Sequence, residues 1–471
     1  MKTNLNITSA VLLFLVIGIM LFPAVQKQFH IFNENPLHGD VRLAPDIAPN
    51  AGDWFESRFS RTKEKYLNDN FGFRSWFVRL KNQVYFSAFH RTFEREVVFG
   101  KSGYLYEARY LNTYAGKDYM GDRQIENRFE KLKLIQDSLS KRGITFVVLF
   151  APGKASYFPE YIPDSFPAHP ARTNYQMHIQ AARKFGINHI DFNGWFLKTK
   201  TESAFPMYAQ TSTHWSTYAM YVAFDSINRY LDQLLHKKLP RYSIGKVEWK
   251  EQLSFWDMDM EVSLNLFSAL PHHKMPYPSI VWADTQNCFK PRVLTISDSY
   301  WSGLNESGLT KKVYTQPEYW FYNQLVFRGD SARKGFVSTD FDLKTAVEQR
   351  DVVMIMASEA NLRFMGWDFI EEVYNMYTNG PASYARLQAS RKKTIEITSI
   401  KNFIAFDEVW FNSIKEKAQT EKISVDSSLQ NAALKEYAEK HKSDPPDVNN
   451  SGLKNSSLKR GFWKFFFFNP E

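Results

Sequence analysis

The sequence predicts an α/β fold: a doubly wound, mainly parallel sheet with flanking helices, preceded by an N-terminal transmembrane helix. Three observations carry that reading. Continuous apolar runs of strand length recur, among them "FVVLF" at Phe146 to Phe150, and such runs suit strands buried on both faces. Helical segments alternate with them, as in "DRQIENRFEKLKLIQDSLSKRG" before "ITFVVLFAP". Polar residues cluster just after each run, where ligands of such sheets gather at the carboxyl ends of the strands.

Taken in order, the chain begins with nineteen uncharged residues, Ile7 to Val25, close to the roughly 20 that a helix needs to cross a hydrocarbon core. The flank "LFPAVQKQ" offers no small-x-small cleavage site, which favours an uncleaved single-pass anchor over a removed signal. The short tail before it predicts a cytoplasmic N-terminus and an extracytoplasmic body. Residues 1–30 are therefore an anchor, and 31–95 a membrane-proximal linker and helices. In the latter, "WFESRFSRTKEKYLNDNFGFRSWFVRLKNQVYFSAF" reads as two helices joined by a turn at Phe71 to Phe73.

Residues 96–410 form the main domain. "EVVFGKSGYLYE" reads as two short strands across a glycine turn. The next segment sets Ile125, Phe129, Leu132, Ile135 and Leu139 on one helical face, and Gly143 ends it. Helix and strand then alternate through "YQMHIQAARKFG", "INHIDFN", "YAMYVAFDSINRYLDQLL", "PRVLTISDSYW" and "DLKTAVEQRDVVMIMASEANL", giving four sheet strands. Residues 411–471 change character: a charged helix, a flexible linker, and a tail, "FWKFFFFNPE", that pairs basic and aromatic residues for a membrane interface, a partner or packing on the domain.

Composition narrows the function classes. The formal charge of +9 mildly favours anionic partners, yet no zinc-finger spacing, aromatic RNA-binding motif or basic recognition helix points to nucleic acid. Cys288 is the only cysteine, so an intrachain disulfide and a multi-cysteine metal site are excluded. There is no P-loop and no cluster of metal-ligand type, and no metal or cofactor is expected. Aromatics make up 16% of the chain, enough for both core packing and sugar stacking.

The polar residues at the strand ends are Gly153 and Lys154, Asp191, Ser297 to Ser299, and Ser358 to Asn361. A serine in the turn after a buried strand is a geometry used for nucleophiles, and histidine is the side chain best tuned to take its proton. Ser299 and His214, the latter in "TSTHWSTYAM", are natural partners if the fold joins them. The same residues also suit a helix cap at Ser297 and Asp298 and a satisfied core histidine.

The order of blocks resembles the SGNH-hydrolase-like acetyltransferases of exopolysaccharide modification, the alginate O-acetyltransferase J/X type. The resemblance runs from about Phe71 to Tyr374, through "NFGFR", "VVFGKSGYLY", "FVVLFAPGKASYFPEYIP", "INHIDFN", "THWSTYAM" and "ISDSYW", with "EYWFYNQLVF" and "DVVMIMASEANL" beyond. It implies an SGNH-hydrolase-like fold, with a D-x-H-W motif supplying acid and base and a later G-D-S supplying the nucleophile. By position His214 matches the base and Ser299 the nucleophile. Ser212 stands in place of the aspartate and Ser297 in place of the glycine.

The missing aspartate leaves three outcomes: another acid, with Asp191 and Glu359 as candidates; a Ser-His dyad; or an inactive site. An acyl-transfer site also needs donors for the developing oxyanion. The N–H of Ser299 or Tyr300 and the amides of Asn323 or Asn361 are candidates, with Lys154 as a further substrate-binding candidate. The resemblance implies transfer of acetyl groups to hydroxyls of a cell-surface or secreted polysaccharide. It also implies a membrane-bound O-acyltransferase as acetyl supplier and a body on the periplasmic side of the cytoplasmic membrane. The rivals are a polysaccharide acetyl esterase and a non-catalytic polysaccharide-binding or assembly protein of the same fold.

Overall fold

The computed structural model describes residues 7–39, 58–89, 91–92, 96–166, 172–328, 336–406 and 408–441. Helix α1, Ile7–Phe29, carries the uncharged run and continues past it. Its segment Ser9–Phe29, with mean hydropathy 2.3 and 11% of its most apolar window buried, is long and apolar enough to cross a membrane. Two helices follow, α2 (Arg58–Asp69) and α3 (Arg74–Phe89), joined at Phe71 to Phe73. That turn packs on α1 so closely that a Cβ on Gly72 would lie 2.1 Å from the Pro23 carbonyl oxygen, so only glycine fits there.

Strands β1 (Val97–Phe99) and β2 (Leu105–Glu107) form an antiparallel hairpin ahead of the main sheet. Helix α4, Asp122–Ser140, buries Ile125, Phe129, Leu132, Ile135 and Leu139, the stripe that its 3.6-residue period sets on one face. It leads into β3, Thr145–Ala151. Helix α5, Asn174–Lys184, opens on a capping box of Thr173 and Gln176 and leads into β4, His189–Asp191. Helix α6, Thr217–Leu235, is capped by the Ser216 hydroxyl.

An antiparallel pair, β5 (Tyr242–Lys250) and β6 (Met275–Trp282), then leaves the main sheet. The connection between its strands carries the short helix α7, Asp259–Ser263. The chain returns through β7 (Arg292–Ser297), β8 (Thr315–Phe321), β9 (Leu325–Arg328), β10 (Phe336–Val337) and β11 (Val352–Ser358), then helix α8 (Phe369–Thr378).

The main sheet has seven strands in the order β10-β9-β8-β7-β11-β3-β4. From β8 to β4 neighbours run parallel; β9 and β10 close the far edge in antiparallel pairing. One face packs on α4, α5 and α8, the other on α6 and the shorter helices. This is a doubly wound sheet, and the four strands legible in the sequence are its adjacent members β7, β11, β3 and β4.

The C-terminal part departs from expectation. The stretch 414–442, read as one charged helix, falls over its described residues 414–441 into parts of two, Glu408–Glu421 and Val425–Lys440. Lys422 takes a left-handed conformation (φ 52°) and the Ser424 hydroxyl caps the second helix, so the path breaks between them. With Pro381–Phe406 they bury Ile397, Ile404, Ile414, Leu429 and Ala433 together. The basic-aromatic tail lies outside the described residues.

Candidate active site

Strand β7 ends at Ser297, and Asp298 turns the chain into a short 3-10 turn, Ser299–Trp301. Asp298 organises that turn. Its Oδ1 accepts from the Tyr300 N–H at 3.1 Å, and its Oδ2 accepts from the Ser358 N–H and the Asn361 amide, both at 2.8 Å. The effect is to tie the end of β7 to that of β11 and leave Ser299 at the sheet edge.

His214 arrives from the loop before α6. Lys154 Nζ, buried, donates to the carbonyls of Gln210 and Ser212, both at 2.7 Å. The Ser212 hydroxyl accepts from the His214 N–H at 2.9 Å and donates to the Trp256 carbonyl at 2.7 Å. The His214 ring packs between Trp256, at 5.0 Å between centroids and nearly perpendicular, and Tyr300, at 4.9 Å. Only 7% of His214 is exposed.

The two candidates meet. His214 Nε2 lies 2.7 Å from Ser299 Oγ, although 85 residues separate them. Behind the ring, Nδ1 lies 2.5 Å from Oδ2 of Asp259, at the start of α7. A carboxylate only accepts, so this network assigns the proton to Nδ1 and leaves Nε2 free to accept from the serine. Asp259 is itself held by the N–H groups of Thr213 and Met260, each 2.8 Å from Oδ1. Burial works against the imidazolium, but the Asp259 carboxylate, joined by the more distant charges of Asp298 and Glu107, holds the His214 pKa above the usual histidine value.

The carboxylate behind the ring is therefore neither of the two proposed from sequence. Asp191 accepts from the Tyr175 hydroxyl and the Gly194 N–H and caps the helix after β4. Glu359 accepts from Ser156 and Asn193, and burial pushes its carboxyl up to about 7. Both sit at strand ends, but on the part of the rim served by β3, β4 and β11. Ser212 does not touch the ring either; it fixes the loop backbone.

The donor candidates need similar correction. The Tyr300 N–H is engaged by Asp298, and its hydroxyl donates to the Thr213 carbonyl at 3.0 Å. The Asn361 amide donates to Asp298 and Ser358, so it braces the turn. Asn323 donates to the Trp367 carbonyl and Glu372, away from the serine. Lys154 braces the histidine loop, and burial brings its pKa down to about 7.

The neighbour of Asn323 was not singled out from sequence. The Tyr322 phenol lies near the Ser299 side chain, and burial pushes it up to about 12, so it keeps its proton at neutral pH. Tyr322 holds a left-handed conformation (φ 50°), uncommon for a bulky residue, while its N–H bonds the Ser297 carbonyl.

Residues 97–254 match the family model described as SGNH hydrolase-like domain, acetyltransferase AlgX. The similarity to an SGNH hydrolase-like domain of the AlgX type covers about a third of the chain. His214 lies inside the matched segment; Asp259 and Ser299 lie beyond it. The chain is 31% identical over 120 residues to a probable alginate O-acetylase AlgJ of Pseudomonas aeruginosa, covering 26% of this chain and 29% of that one. It is 25% identical over 179 residues to the probable alginate O-acetylase AlgJ of Pseudomonas syringae pv. tomato, covering 37% and 43%. The chain thus spans less than half the length of these curated relatives. Among solved structures, the O-acetyltransferase domain of Pseudomonas putida AlgJ aligns with a TM-score of 0.40 at 16% identity, over 62% of this chain and 99% of that one.

Proposed function

We propose that the protein is a membrane-anchored O-acetyltransferase that acylates Ser299 and passes the acetyl group to a hydroxyl of a cell-surface or secreted polysaccharide. The observation that carries this reading is the relay Asp259–His214–Ser299, with contacts of 2.5 and 2.7 Å at the rim of the sheet. The AlgX-type domain and the alginate O-acetylase relatives supply the substrate class. α1 supplies the anchor, with the body on the periplasmic side of the cytoplasmic membrane. A membrane-bound O-acyltransferase is the partner that brings acetyl groups across the bilayer.

In the first half-reaction Ser299 Oγ attacks the acetyl carbonyl of the donor while its proton moves to His214 Nε2. Asp259 stabilises the imidazolium that forms. The Tyr322 phenol donates to the developing oxyanion, which needs a donor already aimed at it. The proton on Nε2 passes to the leaving group, leaving an acetyl ester on Ser299. In the second half-reaction His214 takes the proton of the sugar hydroxyl, whose oxygen attacks the ester. The proton returns to Ser299, and the acetylated sugar leaves.

The test is acetyl transfer by the purified full chain from a p-nitrophenyl ester, with and without alginate-type oligosaccharide, alongside Ser299→Ala. The expected result is acetylated oligosaccharide from the wild type and a loss of about 10⁴-fold or more in the variant, in line with the loss of an acyl-transfer nucleophile. Acetate release indifferent to sugar, with no acetylated product, would assign an esterase. Equal transfer by Ser299→Ala would remove the serine from the reaction.

A further inference from the structure

Helix α3 shows two faces with opposite obligations. On one, Arg79 donates to the Asn35 and Pro36 carbonyls, Asn82 donates to the Leu264 carbonyl, and Gln83 accepts from the N–H groups of Phe267 and Ser268. These residues fall on one side of a 3.6-residue helix: Arg79 holds the segment after α1, while Asn82 and Gln83 grip the body just after α7, the helix that starts with Asp259. Phe77, Leu80 and Val84 lie on the other side, 52%, 50% and 57% exposed. Phe71 and Trp76 extend that stripe toward α1, at 47% and 39% exposed.

An aromatic cluster fixes where this stripe sits relative to α1. Phe73 packs 5.0 Å from Phe22 of α1 and 5.4 Å from Trp76, and Phe32 touches all three. Phe22 lies three residues before Val25, the end of the uncharged run. At about 1.5 Å per residue that is roughly 4–5 Å from the end of the apolar span. The start of α3 is thereby held at the depth where membrane proteins concentrate amphipathic aromatics. Residues 58–89 also carry seven Lys or Arg against two Asp or Glu, a balance that favours an anionic headgroup layer.

We propose that α3 lies along the surface of the bilayer that α1 crosses. Phe77, Leu80 and Val84, with Phe71 and Trp76, enter the interfacial layer of an anionic leaflet. The proposal rests on the reading of α1 as a membrane anchor. The exposed stripe is covered by lipid, and the opposite face of the same helix holds the segment behind Asp259. Membrane contact and the position of the candidate relay then share one brace.

The experiment uses the full chain in a Cys288→Ser background, reconstituted in nanodiscs of phosphatidylcholine and phosphatidylglycerol. Phe77→Cys, Leu80→Cys and Val84→Cys each carry an environment-sensitive fluorophore. Phe14→Cys reports on the middle of α1, and Lys246→Cys, on β5 with an 82% exposed side chain, reports on water. Labels at 77, 80 and 84 should lose most of their emission to a nitroxide lipid quencher near the headgroups and little to aqueous iodide, with Lys246→Cys showing the reverse. If those three behave like position 246 while position 14 is quenched by a deep lipid probe, the proposal is overturned and the anchor stands. That is also the result expected if the stripe is made for a protein partner absent from the discs. An iodide-accessible label at position 14 would overturn the anchor and this proposal together.

Discussion

Two carboxylates near the same sheet rim, Asp259 and Glu359, have come to opposite chemical uses. Asp259 faces an imidazole and two backbone N–H groups. Glu359 faces a hydroxyl and an amide, with the carboxylates of Asp118 and Asp191 near enough to repel it. The contact between Asp259 and the imidazole raises the His214 pKa. With no cation among its hydrogen-bond partners, Glu359 accommodates burial by holding its own proton up to about pH 7. Position at a strand end does not make a residue part of the relay; the group it faces does.

The largest expected difference is in rate. Asp259→Asn should cost about 10⁴-fold in acetyl transfer, because an amide neither fixes the imidazole tautomer nor stabilises the imidazolium. Glu359→Gln and Asp191→Asn should each stay within about tenfold, since neither touches the ring. Steady-state kinetics on the three variants ranks them, and a Glu359→Gln enzyme as slow as Asp259→Asn would erase the distinction.

The pH profile sharpens it. His214 must be neutral at Nε2 to accept the serine proton, so the rate climbs as pH rises through the His214 pKa, which Asp259 holds above the usual histidine value. In Asp259→Asn the residual activity should show that ascending limb at lower pH. A limb that stays in place would mean that Asp259 does not set the histidine.

Glu359 should show itself in stability instead. Its folded pKa lies above the unfolded value, so the folded state binds the extra proton. The stability tied to it is full below about pH 4 and is lost as pH rises toward 7. Glu359→Gln should remove that slope and gain roughly 1–3 kcal/mol over wild type above pH 7. Urea unfolding at pH 5 and pH 8 measures the difference; equal gains at both would argue against a titrating buried carboxyl.

The same contrast explains what the sequence could and could not reveal. β3 and β11 carry continuous apolar runs and β7 one broken only by Thr295; all three are buried on both faces and need no partner to be recognised. β8 is harder to see, because its sequence "TQPEYWF" holds a proline and a glutamate. Pro317 falls where the β7–β8 register shifts, and Glu318, buried, pairs with Arg328 and Arg350. Both signals argue against a central strand until the register and the arginines are known. His214 and Ser299 were legible because each follows a recognisable local pattern. Asp259 was not: it sits in "FWDMDMEV", on the excursion between β5 and β6, 45 residues beyond its histidine. Only the packing of that excursion selects it over Asp257, whose carboxylate accepts from Ser254 and from Thr217 at the start of α6.

The smallest effect concerns a fully buried rim residue, Ser297, whose hydroxyl has no hydrogen-bond partner among the described residues. An unsatisfied buried hydroxyl costs about 1–3 kcal/mol, whereas alanine fills nearly the same space without that cost. Ser297→Ala should therefore raise stability by about 1 kcal/mol in urea titration. Ser297→Gly, which restores the residue expected from the G-D-S pattern, should fall below alanine by roughly 0.5–1 kcal/mol because glycine is more costly to order in a strand. Both should leave acetyl transfer close to wild type, since Ser297 meets Tyr322 through its backbone carbonyl. A destabilised alanine variant would show that the hydroxyl has found a partner, and would move Ser297 from the idle part of the rim into the working one.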